Sequence, residues 1–502
     1  MGDLTSQTNF TKPLKWLLLA LVIKLILYFL FIFPDNNIYG KRKFSGPFIR
    51  SSDHSEYVNP IDNLIDKGTY AMEGYSEPYA GRLPGFVFPY IVFRAIFSEQ
   101  TSNVMLGVFI LALAILASYV LSLLLFNLTQ KRWAFIAGFL LINFVPYFWH
   151  YEWALHPSSL GVSCLIFFSY GFYEYISSHK KKALIIAGIY LAWLVLLRGF
   201  CLVYLPIVIC FLFYFERSAG KKLKEICITC FIFLLPFGIF ESMWITRNFI
   251  SLHKFVPLQT SFVPGGDSKN VEYGYKSITK YSLTKVRELI FTWGGENAWY
   301  FPDSDIAWFG WKGGHNNSDF QFDESIFYEG FTKDTLIALR KDVFYSYGDS
   351  LNDKQHDSIE AKIINTSIHL KEKFKANKTA YFYFYAPIKR TKNYLLHNPT
   401  QDWPGMKFSE SNFLQKGFKL LSVFNYIVLL IQILIFPVLY WRNSKKINFS
   451  KFYLTLYVLL IGSILPFSFL IVMSHYTYFI FGFTLLIPIF VFNVNAVIEK
   501  NK

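Results

Sequence analysis

Long apolar runs separated by short basic turns set the pattern of this chain, and two extended polar intervals interrupt it. Ten runs have the composition of membrane-crossing helices: about 14–33, 103–127, 133–150, 158–177, 183–198, 199–215, 225–245, 418–441, 452–473 and 476–496. With no water in the bilayer core, backbone N–H and C=O groups must pair within each run, so each is expected to be a helix. The first run, Leu14 to Phe33, is too long for a signal-peptide core and lacks a small-residue cleavage site; it is expected to stay as the first helix. The polar intervals are 34–102 and 246–413. Within the first, Phe86 to Phe97 is apolar but short and carries Arg94, which suits an interfacial or re-entrant helix. Within the second, Ile359, Ile363, Leu370 and Phe374 recur at helical spacing between charges, the mark of an amphipathic helix. The stretch TAYFYFYAPIKRTKNYLL that follows is aromatic and then basic, as in a helix lying on a membrane surface.

The pattern therefore predicts an all-α polytopic membrane protein with about ten transmembrane helices and two long extracytoplasmic loop regions containing amphipathic helices. It divides into residues 1–245, a transmembrane module that includes loop 34–102; 246–413, a loop region; and 414–502, the last transmembrane helices. Composition agrees: 53% of residues are hydrophobic, 20% aromatic, and the mean hydropathy is +0.32. The net charge of +15 raises the question of nucleic acid, and its location answers it. Lys12 and Lys15, Lys131-Arg132, Lys180 to Lys182, Lys221-Lys222 with Lys224, Arg442 with Lys445-Lys446, and the tail Lys500 and Lys502 all fall on one side of a ten-span topology. The positive-inside rule makes that side cytoplasmic, with both termini inside, in a plasma membrane. The excess charge is then matched to anionic lipid, and no nucleic-acid partner is needed.

The five cysteines all lie in apolar runs, so no disulfide framework is expected; Cys227 and Cys230 have redox spacing but are read as buried structural thiols. There is no P-loop, His-x-x-x-His pair or Gly-x-Ser-x-Gly turn, which argues against ATPase and serine-hydrolase chemistry.

Candidate chemistry gathers beside the first polar interval. Asp53 and Glu56, three apart, would share a helix face and could take a proton from a hydroxyl or amine, or hold a divalent cation; a solvated loop with Asp53 as helix cap is the competing reading. Arg82 opens a Leu-Pro-Gly turn, Arg198 closes the fifth span and Arg247 follows the seventh. Each could be a rim anchor, and Arg82 could instead pair with Glu77; together they could gather one anionic headgroup. The turn HYEWALHPSS adds Glu152, a second carboxylate that could face Asp53, and His156. Lys24 lies deep in the first run, where a charge requires a partner or a cavity, and Glu241 is one possible partner. Asp303-Ser304-Asp305 reads as a polar turn, or as a metal-holding Asp-x-Asp, with Trp293, Trp299, Trp308 and Trp311 nearby as sugar-stacking or interface indoles.

The order of the motifs adds to this. SDHSEY follows the first span, then DKGTY and YAGRLPGF; WLVLLRGF closes a later span, and WITRNFISLHKFVPLQT follows another. This order resembles the GT-C superfamily of polyprenyl-phosphate-sugar-dependent glycosyltransferases, in the style of protein O-mannosyltransferases and aminoarabinose transferases, over residues 14–260 and more loosely over 360–500. The resemblance implies sugar transfer from a polyprenyl-phosphate-linked donor to a lipid, glycan or protein acceptor at the outer membrane face. Asp53 would be the catalytic carboxylate, with Glu56 beside it. Arg82, Arg198 and Arg247 would hold the lipid phosphate or shape its cavity, and Tyr57, Glu152, His156 and His475 would be further donor-side contacts. No organic cofactor is implied; a divalent cation is left open. Two positions depart from the family pattern: His156-Pro157 stands where Asp-Pro is common, and His475-Tyr476 where Arg-Tyr opens the last helix. The alternative reading is a lipid-linked saccharide flippase, which would carry its charges at mid-depth in several spans. Here Lys24 is the main such charge.

Overall fold

The computed structural model describes residues 12–33, 44–50, 54–72, 78–253, 255–258, 280–295, 322–346, 351–396, 408–443 and 450–464. It is mostly helical. Among the described residues, four helical stretches are long and apolar enough to cross a membrane: Pro13–Ile32, Glu99–Thr129, Gly199–Ser218 and Leu223–Leu252. A bent fifth runs over Phe413–Val428 and Ile433–Arg442. The protein is thus a helical membrane protein. The expected run 476–496 lies outside the described residues.

The helix boundaries follow from local chemistry. Helix α1, Pro13–Leu27, starts on a proline whose missing N–H costs nothing in a first turn, and continues through a π-turn, Tyr28–Ile32. Two short strands, β1 (Phe44–Ser45) and β2 (Phe48–Arg50), precede α2, His54–Lys67. The predicted interfacial segment forms α3, Val87–Arg94. The 31-residue α4, Glu99–Thr129, opens with Ser98 accepting from Thr101 N–H and closes on Gln130 in the left-handed region.

The run expected as one helix over 133–150 is broken. Helix α5, Arg132–Phe144, stops where Val145 turns extended before Pro146, and α6, Pro146–Glu152, starts afresh. The proline ring disfavours helical backbone at the preceding residue. Strand β3, Ala154–Leu155, follows, then α7, Pro157–Ser178, and α8, Lys181–Leu197, which ends as Arg198 turns extended. Next come α9, Tyr204–Ser218, and α10, Leu223–Leu252.

Helix α8 is the hub of the bundle, packed between α7 and α10. Gly188 permits the close crossing with α10: a Cβ there would lie 2.5 Å from the Phe233 carbonyl oxygen. Between apolar helices in lipid, such close backbone approach supplies dispersion contacts where a hydrophobic driving force is absent. Helix α10 buries only 17% of its most apolar window, and Phe231, Leu235, Ile239 and Met243 point outward, as expected of a lipid-facing helix. This corrects the reading of the thiols. Cys164 and Cys201 are buried, but Cys210 and Cys227 are exposed and Cys230 is half-buried, because they sit on outward faces of α9 and α10.

The second polar interval holds a separate apolar core. Helices α11 (Lys280–Phe291), α12 (Lys333–Ser346) and α13 (Asp353–Asn377) enclose Val286, Leu289, Leu336, Leu339 and the predicted stripe Ile359, Ile363, Leu370 and Phe374. Trp293 is buried in this core, so it is no sugar-stacking surface indole; Trp299, Trp308, Trp311, Asp303 and Asp305 lie outside the described residues. Helix α14, Ala386–Leu396, follows; then α15, Phe413–Asn443, and α16, Ser450–Ile464, return to the apolar bundle, where α16 packs on α9.

Candidate functional site

At one end of the bundle the first polar interval, the turn after α6 and the ends of α8 and α10 meet. Helix α2 buries His54, Tyr57, Val58 and Ile61. His54 Nε2 lies 2.9 Å from Asn103 Oδ1 on α4. The polar edge of the helix carries Glu56, whose Oε2 accepts from Arg82 Nε at 2.8 Å and Nη2 at 2.7 Å. The Arg82 guanidinium also sits 5.1 Å from the centre of the Tyr57 ring, so Glu56, Tyr57 and Arg82 form one unit. Further along α2, Asp62 accepts from Tyr90 Oη at 2.8 Å and from Arg94 Nε at 2.9 Å, while Arg94 Nη2 reaches Asp66 at 2.7 Å. Burial pushes the Asp62 carboxyl above its ordinary range, against the pull of Tyr90 and Arg94. Arg94 therefore clasps α3 onto α2.

The Arg82-Leu83-Pro84-Gly85 turn docks on the end of α8. Trp193 Nε1 donates to the Gly85 carbonyl at 2.8 Å, and a Cβ on Gly85 would lie 2.5 Å from the Leu196 carbonyl carbon and 2.6 Å from its oxygen. Only a glycine lets the turn approach this closely. Gly85→Ala is expected to force the turn off α8 at a cost of about 1–3 kcal/mol, typical of overpacking. Thermal unfolding of the detergent-purified protein should show a lower Tm; an unchanged Tm would mean that the turn is not wedged there.

Two residues beyond Leu196, Arg198 is buried, with 6% of its surface exposed. Its Nη2 lies 2.9 Å from Ser158 Oγ and 2.9 Å from His156 Nε2. His156 also caps α7: its Nδ1 accepts from Ser158 N–H at 3.2 Å. A neutral imidazole has one accepting nitrogen. If Nδ1 accepts the capping bond, Nε2 carries the proton, and two N–H donors then converge at 2.9 Å. In that tautomer a guanidinium and an imidazole N–H lie side by side, and such a pair can donate to one anionic oxygen. Sequence reasoning named Arg198 and His156 singly; Ser158, one residue after the Pro157 that starts the helix, went unnoticed.

Arg247 is placed differently. Its guanidinium lies 4.3 Å from the Tyr70 ring centre and 5.1 Å from that of Trp244, and donates to the Tyr79 carbonyl at 2.7 Å, the Tyr70 carbonyl at 3.2 Å and Asn248 Oδ1 at 2.8 Å. It ties Tyr70 and Tyr79 of the first interval to α10.

Lys24 has a buried partner, and it is Glu152. Glu241 instead accepts from Leu258 N–H at 2.6 Å. The break at Pro146 explains this, since it frees the chain to return as α6, whose last residue meets Lys24. Neither residue of the pair is exposed by more than 4%. The next residue, Trp153, stacks on Phe48 at 5.4 Å and packs at a tilt against Tyr28 at 4.4 Å, and its carbonyl accepts from Ile49 N–H at 2.9 Å. Strands β2 and β3 then pair in parallel, Ile49 with Ala154 and Arg50 with Leu155, and β1 pairs antiparallel to β2. This seam was not anticipated from the sequence. It matters because β2 ends at Arg50 and α2 begins at His54, so two held elements flank the position of Asp53 in the sequence. Asp53 and His475 themselves lie outside the described residues. Among the described residues, no cluster of three or more His, Cys, Asp or Glu side chains is arranged to hold a metal ion.

No protein-family model matches the chain, and no curated protein matches it.

Proposed function

We propose that this protein is a glycosyltransferase that moves a sugar from a polyprenyl-phosphate donor to an acceptor at the outer face of the membrane. The observation that carries the reading is the buried convergence of Arg198, His156 and Ser158 beside the docked Arg82 turn. It is a set of donors suited to a phosphate and lies at the end of the bundle where the polar intervals meet. The motif order supports the same reading, and the positive-inside rule makes that end extracytoplasmic.

In this reading the donor lipid lies in the bilayer with its phosphate at the bundle end. Arg198 and His156 donate to phosphate oxygens and stabilise the charge that grows as the sugar leaves. The acceptor hydroxyl or amine attacks the anomeric carbon as the bond from that carbon to the phosphate oxygen breaks, and Asp53 takes the acceptor's proton. One displacement inverts the anomeric configuration. Glu56 holds Arg82 toward the site, and Arg247 holds Tyr70 and Tyr79 against α10.

The test is to supply membranes containing the protein with a panel of radiolabelled polyprenyl-phosphate sugars and to follow both label transfer and label translocation. Transfer to an acceptor is expected. Translocation without transfer would establish the flippase alternative. In the same assay Arg198→Ala should raise the apparent KM for the active donor roughly ten- to hundredfold, the equivalent of one or two charge-assisted hydrogen bonds. An unchanged KM would remove Arg198 from donor recognition.

A further inference from the structure

The lobe built on α11 to α13 ends in a helical strap with two unlike faces. A π-turn over Tyr381–Tyr385 runs directly into α14. Tyr381 and Phe382 pack against the lobe core, and Ala386 and Arg390, four residues apart, are buried on the same side. The opposite side is bare: Phe384 is 67% exposed and Ile388 66%, with Tyr383 and Tyr385 about half exposed and Lys392 exposed four residues beyond Ile388. A π-turn fits one extra residue into the helical turn, and here that residue widens an aromatic surface.

We infer that this face is a membrane-docking surface that seats the lobe on a bilayer leaflet bearing anionic phospholipid headgroups. Three features select that occupant. First, the charge is of one sign: from Lys373 to Leu396 there are six Lys or Arg and no Asp or Glu. A second copy of the chain would bring like charges together, whereas phosphate headgroups complement them. Second, the residues suit the layered chemistry of a lipid interface, with Phe384 and Ile388 at the depth of the upper acyl chains, Tyr383 and Tyr385 at the headgroup level and the exposed Lys392 reaching the phosphates. Third, the strap leads back into the bundle. Sixteen residues separate Leu396 from Phe413, and on the way Phe408 is 51% exposed. Phe413, 92% exposed, then opens the apolar helix α15. The inference does not depend on the proposed sugar transfer. It would hold for a transporter with the same lobe.

The test uses the full chain in nanodiscs, with the accessible and half-buried thiols Cys210, Cys227 and Cys230 replaced by Ala and the buried Cys164 and Cys201 left in place. Single Phe384→Cys and Ile388→Cys variants are labelled with a water-soluble maleimide, and Glu372→Cys on the exposed side of α13 serves as the aqueous reference. In discs of mixed phosphatidylcholine and phosphatidylglycerol, labelling at 384 and 388 is expected to be at least tenfold slower than at 372. Protection should fall severalfold in phosphatidylcholine alone, or when Lys392→Gln is added. Labelling at 384 and 388 as fast as at 372 in the mixed discs would overturn the docking surface. Equal protection with and without phosphatidylglycerol would overturn the anionic-lipid assignment. Protection seen only in discs holding two chains would reassign the face to contact between copies.

Discussion

Asp53→Asn is expected to abolish sugar transfer while leaving membrane insertion and donor binding intact. Positioned general bases contribute about 10²–10⁴-fold to turnover, so kcat should fall within that range and KM for the donor should change little. The substitution keeps the side chain's size and removes only its proton-accepting charge. Glu56→Gln is the informative comparison, because Glu56 is already engaged with both Nε and Nη2 of Arg82. Losing that ion pair frees Arg82 and should act mainly on donor KM, with a smaller effect on kcat. The two carboxylates, three residues apart, thereby separate into a proton acceptor and a positioning group. Measuring kcat and donor KM for both variants with the active polyprenyl-phosphate sugar checks this. Full activity in Asp53→Asn would remove the residue from the mechanism and, with it, the chemical role assigned to the first polar interval.

The helices were readable because a membrane imposes a simple rule: the backbone must pair with itself, so long apolar runs become helices near their expected limits. The run over 225–245 became α10, Leu223–Leu252, and the stripe Ile359, Ile363, Leu370 and Phe374 packed as its spacing required. Interruptions were harder to read. Pro146 carried the signal for a break, yet hydropathy averaged over 133–150 hid it. The seam between β2 and β3 was illegible for another reason. Its strands are two and three residues long and join positions about a hundred residues apart, and alternation cannot be recognised over so short a span. Within the site, single residues were legible and pairings were not. Arg82, Arg198 and Arg247 looked alike in sequence, each at the end of an apolar segment. Their partners now separate them: a carboxylate for Arg82, an imidazole and a hydroxyl for Arg198, and two carbonyls between aromatic rings for Arg247. Lys24 had announced that it needed a partner, but depth along the first span could not identify Glu152 without knowledge of the break before α6.

That ion pair should give the largest stability effects in the molecule. Lys24→Met leaves the Glu152 carboxylate buried without its counter-charge, and Glu152→Met leaves the ammonium in the same position. Breaking a buried pair from one side costs about 3–5 kcal/mol, because the remaining charge has lost water and partner together. Each single variant should therefore show a much lower Tm and reduced yield from membranes. Lys24→Met combined with Glu152→Met removes both charges and restores apolar volume; its Tm should return close to that of the unmodified protein. Thermal unfolding of all four proteins in one detergent completes the double-mutant cycle, and additive losses would mean that the two charges do not depend on each other. The activity of the stable double variant then carries a second result. Glu152 precedes Trp153 and β3, and β3 pairs with the strand that leads toward Asp53. If stacking and strand pairing alone hold that path, the double variant should transfer sugar normally. If the ion pair also sets the height of α6, stability will recover while kcat stays low, and the separation of the two readouts will identify Lys24 as a positioning residue.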